Sequence, residues 1–450
     1  MAERFIGFHR RYRLHFQSRP RSVLKAAGDC LSGLMQAPAN RKDMERMEEA
    51  VAGADEQQLQ HMLSHSSWDH QAVMNQVALE TDQQLGGGEE SCLIIDESGF
   101  KKSGGHSAGV ARQWCGRLGK VDNCQVGVFA ALGRESRVCL VEGRLYLPRE
   151  WTRDAERCRK AGIPPEHRVF KSKSQLALEM VSRQRRLGVR FSWVGVDGGY
   201  GKEPGFLRHL EAMGEVFVAD VHCDQRLYLE DPKPEVPQRQ RPRGRKPSRL
   251  KIRTPSVRVD RWAAGQPEEA WKRLTLRDGT GGELQVEALH RRVWLWNGEE
   301  AEAKCWHLIV RREVDSPRTI KYTLSNASAN TPLERLARMQ ARRYWVERAL
   351  QDGKSECGMA DCQVRRWSAW HHHMALVFMS MLFMLEERLR AAESRPLLSC
   401  SDIEELLRHF LPKRALSKQE VIAQMHKRHR KRQTAIEAAY RKQRLVARLE

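Results

Sequence analysis

The sequence contains no uninterrupted apolar run of the roughly eighteen residues that crossing a bilayer requires, and its N-terminus carries no apolar signal core. A membrane-spanning or secreted protein is therefore not expected, and the chain is read as cytoplasmic. A disulfide framework is also missing, because the 11 cysteines are scattered along the chain and read as reduced thiols. Internal repeats and low-complexity domains are absent. So is a P-loop: SGFKKSGGHSAG has glycines and lysines able to approach phosphate but not the spacing that cradles a nucleotide, so nothing indicates nucleotide hydrolysis.

Acidic residues are in short supply. Against 78 Lys and Arg stand only 57 Asp and Glu, a formal net charge of +21. Such an excess repels itself unless a polyanion is the partner, and nucleic acid is the commonest large one. A generally basic enzyme or a ribosome-associated factor is the alternative that composition leaves open. With 450 residues, 40% of them hydrophobic and 30% charged, the chain has the make-up of a globular protein of two to four domains.

Residues 1–88 show helical patterns with almost no strand signal. FHRRYRLHF interleaves Arg, His and aromatic residues, and amphipathic spacing follows in Leu59, Met62, Leu63, Trp68, Val73, Val77 and Leu79. A helical DNA-binding domain is expected there, with a dimerisation or packing unit as the alternative. The glycines of QQLGGGEE mark its end. Residues 89–225 change texture to CLIIDESGF, NCQVGVFAALG and RVCLVEGRLYLP, three strands of an antiparallel meander. A helix over 175–187, the buried run FSWVGVDGGYG, a helix over 204–213 and the strand EVFVADV follow. That order is the one of an RNase H-like α/β core.

Residues 226–304 are expected to form a basic loop and a β-rich insertion. PKPEVPQRQRPRGRKPSRLKIRTPSVR has many prolines and cations and few apolar anchors, so Arg243, Arg245 and Lys246 are candidate DNA contacts in a segment that orders on a polyanion; a flexible linker is the alternative. RVDRWA, WKRLTLRD, LQVEALHRRVWLWN, CWHLIVRREV and IKYTLSNA read as strands, with turns at Asp278-Gly279 and Asn297-Gly298. Residues 305–390 are assigned to the second part of the core. There Thr331 is the expected N-cap before Pro332 at the first helical position, the helix LERLARMQARRYWVERAL carries Glu347, and AWHHHMALVFMSMLFMLEERLR packs beneath it. Residues 391–450 form a basic helical region, suited to gripping phosphates or to a solvated helix.

Arg343, Glu347 and Lys354 recur at close to whole helical turns and share one face. Alone, that is the pattern of a surface ion pair. Asp96 and Asp197 change its meaning, since each ends an apolar run that reads as a buried strand. Three carboxylates converging from two strands and a helix suit hard divalent cations, which activate one oxygen and stabilise another in phosphoryl transfer.

IIDESGFKKSG, VGVDGGYG, RRYWVERALQDGKSECG and the downstream WSAWHHHMAL together resemble the DDE transposases of bacterial insertion sequences, of the type whose RNase H-like core is interrupted by a β-rich insertion. The resemblance spans about residues 91–385. That family places Tyr, Arg, Glu and Lys at fixed intervals on its last catalytic helix; Arg343, Glu347 and Lys354 match three of them, while Gln340 stands at the tyrosine position and Tyr344 next to the matched arginine offers a shifted aromatic contact.

The resemblance implies that Asp96, Asp197 and Glu347 hold Mg²⁺, with Mn²⁺ as the alternative, and that Arg343 and Lys354 hold the terminal DNA strand. It implies a cut-and-paste reaction on double-stranded DNA, with terminal inverted repeats and target DNA as partners, a homodimer in a synaptic complex, and a place at the nucleoid when bound. The insertion of that family suggests Trp294 or Trp296 as an aromatic stacked on a flipped base, against the commoner role of a strand tryptophan in the core. A catalytically inactive DNA-binding derivative and a structure-specific nuclease without strand transfer are the alternatives. Cys357, Cys362 and His371–His373 do not have the spacing of a standard zinc site.

Overall fold

Four apolar residues in succession, Cys92–Ile95, suit a strand covered on both faces, and in the computed structural model they form the first half of β1 (Ser91–Lys101), with all four side chains buried. The structure describes residues 1–446 apart from 19–20, 40, 239–246, 280–281, 315 and 317–318. After β1 come β2 (Ala111–Cys115), β3 (Lys120–Arg134) and β4 (Arg137–Leu145). The long β3 pairs with β1 along one edge and, along the other, with β2 through residues 120–124 and β4 through residues 127–134. No expected strand corresponds to β2, a five-residue edge strand that buries only Ala111 and Cys115. Next are β5 (Trp193–Val196) and β6 (Phe217–Val221), each parallel to its neighbour in the order β1, β5, β6. The resulting order, β4-β3-β1-β5-β6, is the expected RNase H-like core.

The insertion continues the same sheet. β7 (Lys272–Gly279), β8 (Gly282–Leu295), β9 (Lys304–Glu313) and β10 (Ile320–Ser325) form an antiparallel meander whose last strand bonds to β6, giving ten strands in all. RVDRWA departs from the expected strand. Only Val257–Arg258 is extended, and Val259–Ala264 is a short helix, because Val259 and Ala263, four residues apart, are the pair that buries.

Helices cover the sheet. The N-terminal ones are α1 (Leu24–Gln36), α2 (Met44–Ala50), α3 (Glu56–Ser64) and α4 (His70–Leu85), the last three capped by Asp43, Asp55 and Asp69 side chains. α5 (Lys173–Leu187) opens on a Ser172/Gln175 capping box and closes on Gly188 at φ 91°, and α6 (Pro204–Ala212) begins on its proline. α7 (Leu333–Arg342) starts one residue later than expected: Pro332 is extended, with ψ 150°, so it precedes the helix instead of opening it. α8 (Tyr344–Ser355) is separated from α7 at Arg343, so the single helix read from the sequence is two. α9 (Trp367–Arg390), α10 (Cys400–Phe410) and α11 (Lys418–Val446) complete the chain.

α9 is buried on nearly every side, packed on β4 and α4. Among the described residues no helix is long and apolar enough to cross a membrane. Phe5 and Phe8 meet the Phe383 ring edge-on at 4.9 and 5.5 Å, and Arg11 pairs with Glu80 and Glu386, so part of the basic FHRRYRLHF segment is engaged in packing against α9. In the same way Lys427, Arg428 and Lys431 of α11 pair with Glu56, Glu49 and Glu45. The three histidines of α9 are bonded to backbone carbonyls: His371 to Trp367, His372 to both Leu63 and Trp68, His373 to Gly358.

His373 has a consequence for stability. Burial above all pushes its pKa down to about 4, against the opposing bond to Gly358. Its folded pKa lies below the unfolded value, so the unfolded chain takes up the proton first as pH falls. The contribution is full above about pH 6.5 and is lost toward pH 4, at about 1.4 kcal/mol per pH unit. In denaturant titrations at pH 7.5 and 5, His373→Gln is expected to reduce the difference in unfolding free energy by about 2 kcal/mol.

Candidate active site

The register of the parallel strands builds the site. Ile95 of β1 is level with Val196 of β5, which is level with Ala219 of β6. The next residue on each chain is an aspartate: Asp96, Asp197 and Asp220. Three aspartates thus occupy neighbouring positions where the parallel pairing ends, on the side of the sheet where open α/β sheets bind ligands.

Each is held differently. Asp96 accepts the N–H of Glu97 at 2.7 Å, and its pKa is pushed up to about 7, first by burial and then by the charge of Asp197, with Arg343 opposing and Glu347 adding a smaller push. Asp197 caps the helical turn Gly198–Gly201, accepting from Gly199 and Tyr200 at 3.0 and 3.3 Å. Asp220, absent from the sequence reading, accepts the Thr323 hydroxyl at 2.6 Å, the Gln340 amide at 3.4 Å and Arg343 Nε at 3.0 Å. The glycines of VDGGYG make this closeness possible. A Cβ on Gly201 would lie 1.9 Å from the Asp220 carbonyl oxygen.

Arg343 joins the row to the helix. Its Nη2 meets Glu347 at 2.7 Å and its Nη1 lies 3.9 Å from Asp96, while Nε is on Asp220. Burial disfavours its charge, but Asp220, Glu347 and Asp96 outweigh that and raise its pKa. The helix break aims it. Arg343 N–H bonds to Gln340 and Val346 N–H bonds to Arg343, both three residues back, a local tightening between α7 and α8. Lys321 of β10 is a further cation of this cluster, its pKa lowered by burial, with Asp220 and Glu347 opposing and Arg343 assisting.

The expected residues are thus only partly brought together. Asp96, Asp197, Arg343 and Glu347 share one site, and Lys354 is half-buried two turns along α8 from Glu347. Tyr344 is 41% exposed, its ring edge-on to Trp345 at 5.5 Å. Gln340 is buried and donates to the Thr323 hydroxyl, so the position of the signature tyrosine serves as an internal support. Trp294 and Trp296 are elsewhere. His290 of β8 is the residue level with Asp220, and Trp294 lies four residues further toward the opposite end of the sheet, with its backbone bonded to Tyr228 and the Trp296 indole bonded to Glu300. That is roughly 13 Å along the strand for Trp294, and three strand spacings across. Arg243, Arg245 and Lys246 lie outside the described residues.

Among the described residues no three His, Cys, Asp or Glu side chains stand close enough to form a ready metal cluster. The donors at the carboxylate row nonetheless fit a hard cation in kind: all are carboxylate oxygens, and Asp96 is a buried carboxylate with the like charge of Asp197 beside it, which a cation would offset.

A family model described as DDE superfamily endonuclease matches residues 16–283, more than half the chain. The protein belongs to that family. Asp96, Asp197 and Asp220 lie within the matched region, and Glu347 lies beyond it. The chain is also 24% identical over 341 residues, 75% of each chain, to the probable transposase for insertion sequence element IS701 of Microchaete diplosiphon.

Gly201→Ala tests the close approach. Backbone opposes the new methyl group, so the variant is expected to lose on the order of 1–3 kcal/mol of stability, read as a lower thermal midpoint, and to lose endonuclease activity with it.

Proposed function

We propose that this protein is a cut-and-paste transposase of an insertion sequence, cleaving at the terminal inverted repeats and joining the freed 3′ hydroxyl ends to target DNA. What supports this above all is the carboxylate row, with Asp96 on β1, Asp197 just past the end of the neighbouring β5, and Glu347 linked to Asp96 and Asp220 through Arg343. Asp96, Asp197 and Glu347 would hold Mg²⁺ or Mn²⁺. Such ions activate the attacking oxygen and stabilise the leaving one.

The remaining work falls to the chain. Arg343 and Lys354 grip the terminal strand, the guanidinium with paired N–H groups and the ammonium as a point charge. The α7–α8 break keeps Arg343 over the row, and Asp197, fixed by two backbone N–H groups, presents its second oxygen in a set direction. The protein acts as a homodimer holding two DNA ends in a synaptic complex.

Asp197→Ala and Glu347→Gln are expected to lower strand cleavage on the order of 10³-fold or more while binding to end DNA persists in gel-shift assays; cleavage retained in either variant overturns the reading. Pre-cut ends supplied with target DNA and Mg²⁺ decide the second step. Joined products are expected, and a nuclease without strand transfer would make none.

A further inference from the structure

Asp220 differs from the other carboxylates of the site in how fully it is supported. One of its oxygens takes the Thr323 hydroxyl at 2.6 Å and the Gln340 amide at 3.4 Å, and Gln340 also donates to the Thr323 oxygen, so a buried relay runs from Gln340 through Thr323 to Asp220. The other oxygen takes Arg343 Nε at 3.0 Å. On its far side the same guanidinium is held less firmly. Glu347 is 49% exposed, against 16% for Asp220, and Asp96 is 3.9 Å away.

We propose that Arg343 is the built-in counter-cation of the carboxylate row, anchored by Asp220, and that it yields Asp96 and Glu347 to an incoming divalent cation while remaining in the site on Asp220. The inference rests on the metal-site reading above. Its physical basis is that like charges crowded at the end of the sheet require neutralisation at all times, and a planar guanidinium with donors on three sides serves several carboxylates at once. Release of Asp96 and Glu347 frees Nη1 and Nη2 together, the pair that matches two phosphate oxygens, while Nε stays on Asp220. Asp220 is then a positioning residue that acts through Arg343. Gln340 fits the same scheme, because its buried amide donates to both Thr323 and Asp220.

Mn²⁺ binding to the full-length protein without DNA, followed by electron paramagnetic resonance of the free ion, tests this. Arg343→Gln is expected to tighten Mn²⁺ binding by about tenfold, the lower range of what charges a few ångströms apart exert on one another. Asp220→Asn is expected to weaken it, since the whole guanidinium charge then falls on Asp96 and Glu347. The charge-balanced double variant is expected to return to near the wild-type affinity. Unchanged or weaker binding in Arg343→Gln overturns the inference, and so does a double variant as weak as Asp220→Asn, which would make Asp220 a metal ligand itself. Thr323→Val removes one support of Asp220 without changing charge and is expected to weaken Mn²⁺ binding to a smaller degree; an unchanged affinity there, with Asp220→Asn failing to fold, also overturns it. If the wild-type protein shows no saturable Mn²⁺ binding, or Asp197→Ala leaves that binding intact, the metal-site reading falls and takes this inference with it.

Discussion

A guanidinium among carboxylates is stable only where the backbone brings all of them to one place, and the surroundings of Arg343 draw on elements from across the chain. Asp96 comes from β1, Asp220 from β6, Glu347 from the first turn of α8, and Thr323 from β10. The last is the least expected. β10 ends the inserted meander, yet it pairs with β6 with Thr323 opposite Asp220, so the insertion supplies part of the site's support. An insertion with a separate sheet of its own would leave Asp220 without its shortest hydrogen bond.

The division between α7 and α8 follows from the same requirement. α7 packs over β5, β6 and the insertion strands β7–β9, whereas α8 packs over β1, β3 and β4. Arg343 lies at the junction, above the carboxylate row, where two successive bonds to the third residue back replace the α-helical ladder. The short α-helical irregularity therefore lies where the charge is needed, and Gln340 and Glu347, one turn to either side, both face Asp220 or its guanidinium.

How legible this was in the sequence depended on whether a residue's signal was local. Asp96 and Asp197 end apolar runs, and a carboxylate at such a place stands out because burying it in a strand interior is costly. Glu347 was legible through its spacing from Arg343. Asp220 also ends an apolar run, Val216–Ala219, but on the sequence it is one more strand-end acid, and its place in the site comes only from partners more than 100 residues away, Thr323 and Arg343. The five core strands were legible from their apolar runs, whereas β2 was too short and polar, and RVDRWA differs from the expected strand because only its first residue, Arg258, is extended before the helical spacing of Val259 and Ala263 takes over. Trp294 and Trp296 depended on long-range register. The resemblance offered them for a flipped base, and the register, with His290 level with Asp220, places Trp294 toward the other end of the sheet from the carboxylate row.

The formal charge of +21 and the acidic row pose opposite demands, and distance separates them. Net charge draws a polyanion toward the protein, but at physiological salt its influence fades over about 8–10 Å. Repulsion between a phosphate and several carboxylates acts within a few ångströms, where that distant surplus gives little relief. Part of the surplus is also engaged internally, as where Lys427, Arg428 and Lys431 face Glu56, Glu49 and Glu45. Neutralisation therefore has to be local, supplied by groups already inside the site. Arg343 touches three of the four carboxylates, and Lys321 lies close enough for Asp220 and Glu347 to act on its charge. In the function proposed above, where DNA brings its own negative charge to the row, the arrangement of these few cations governs the final approach more directly than the composition of the chain as a whole.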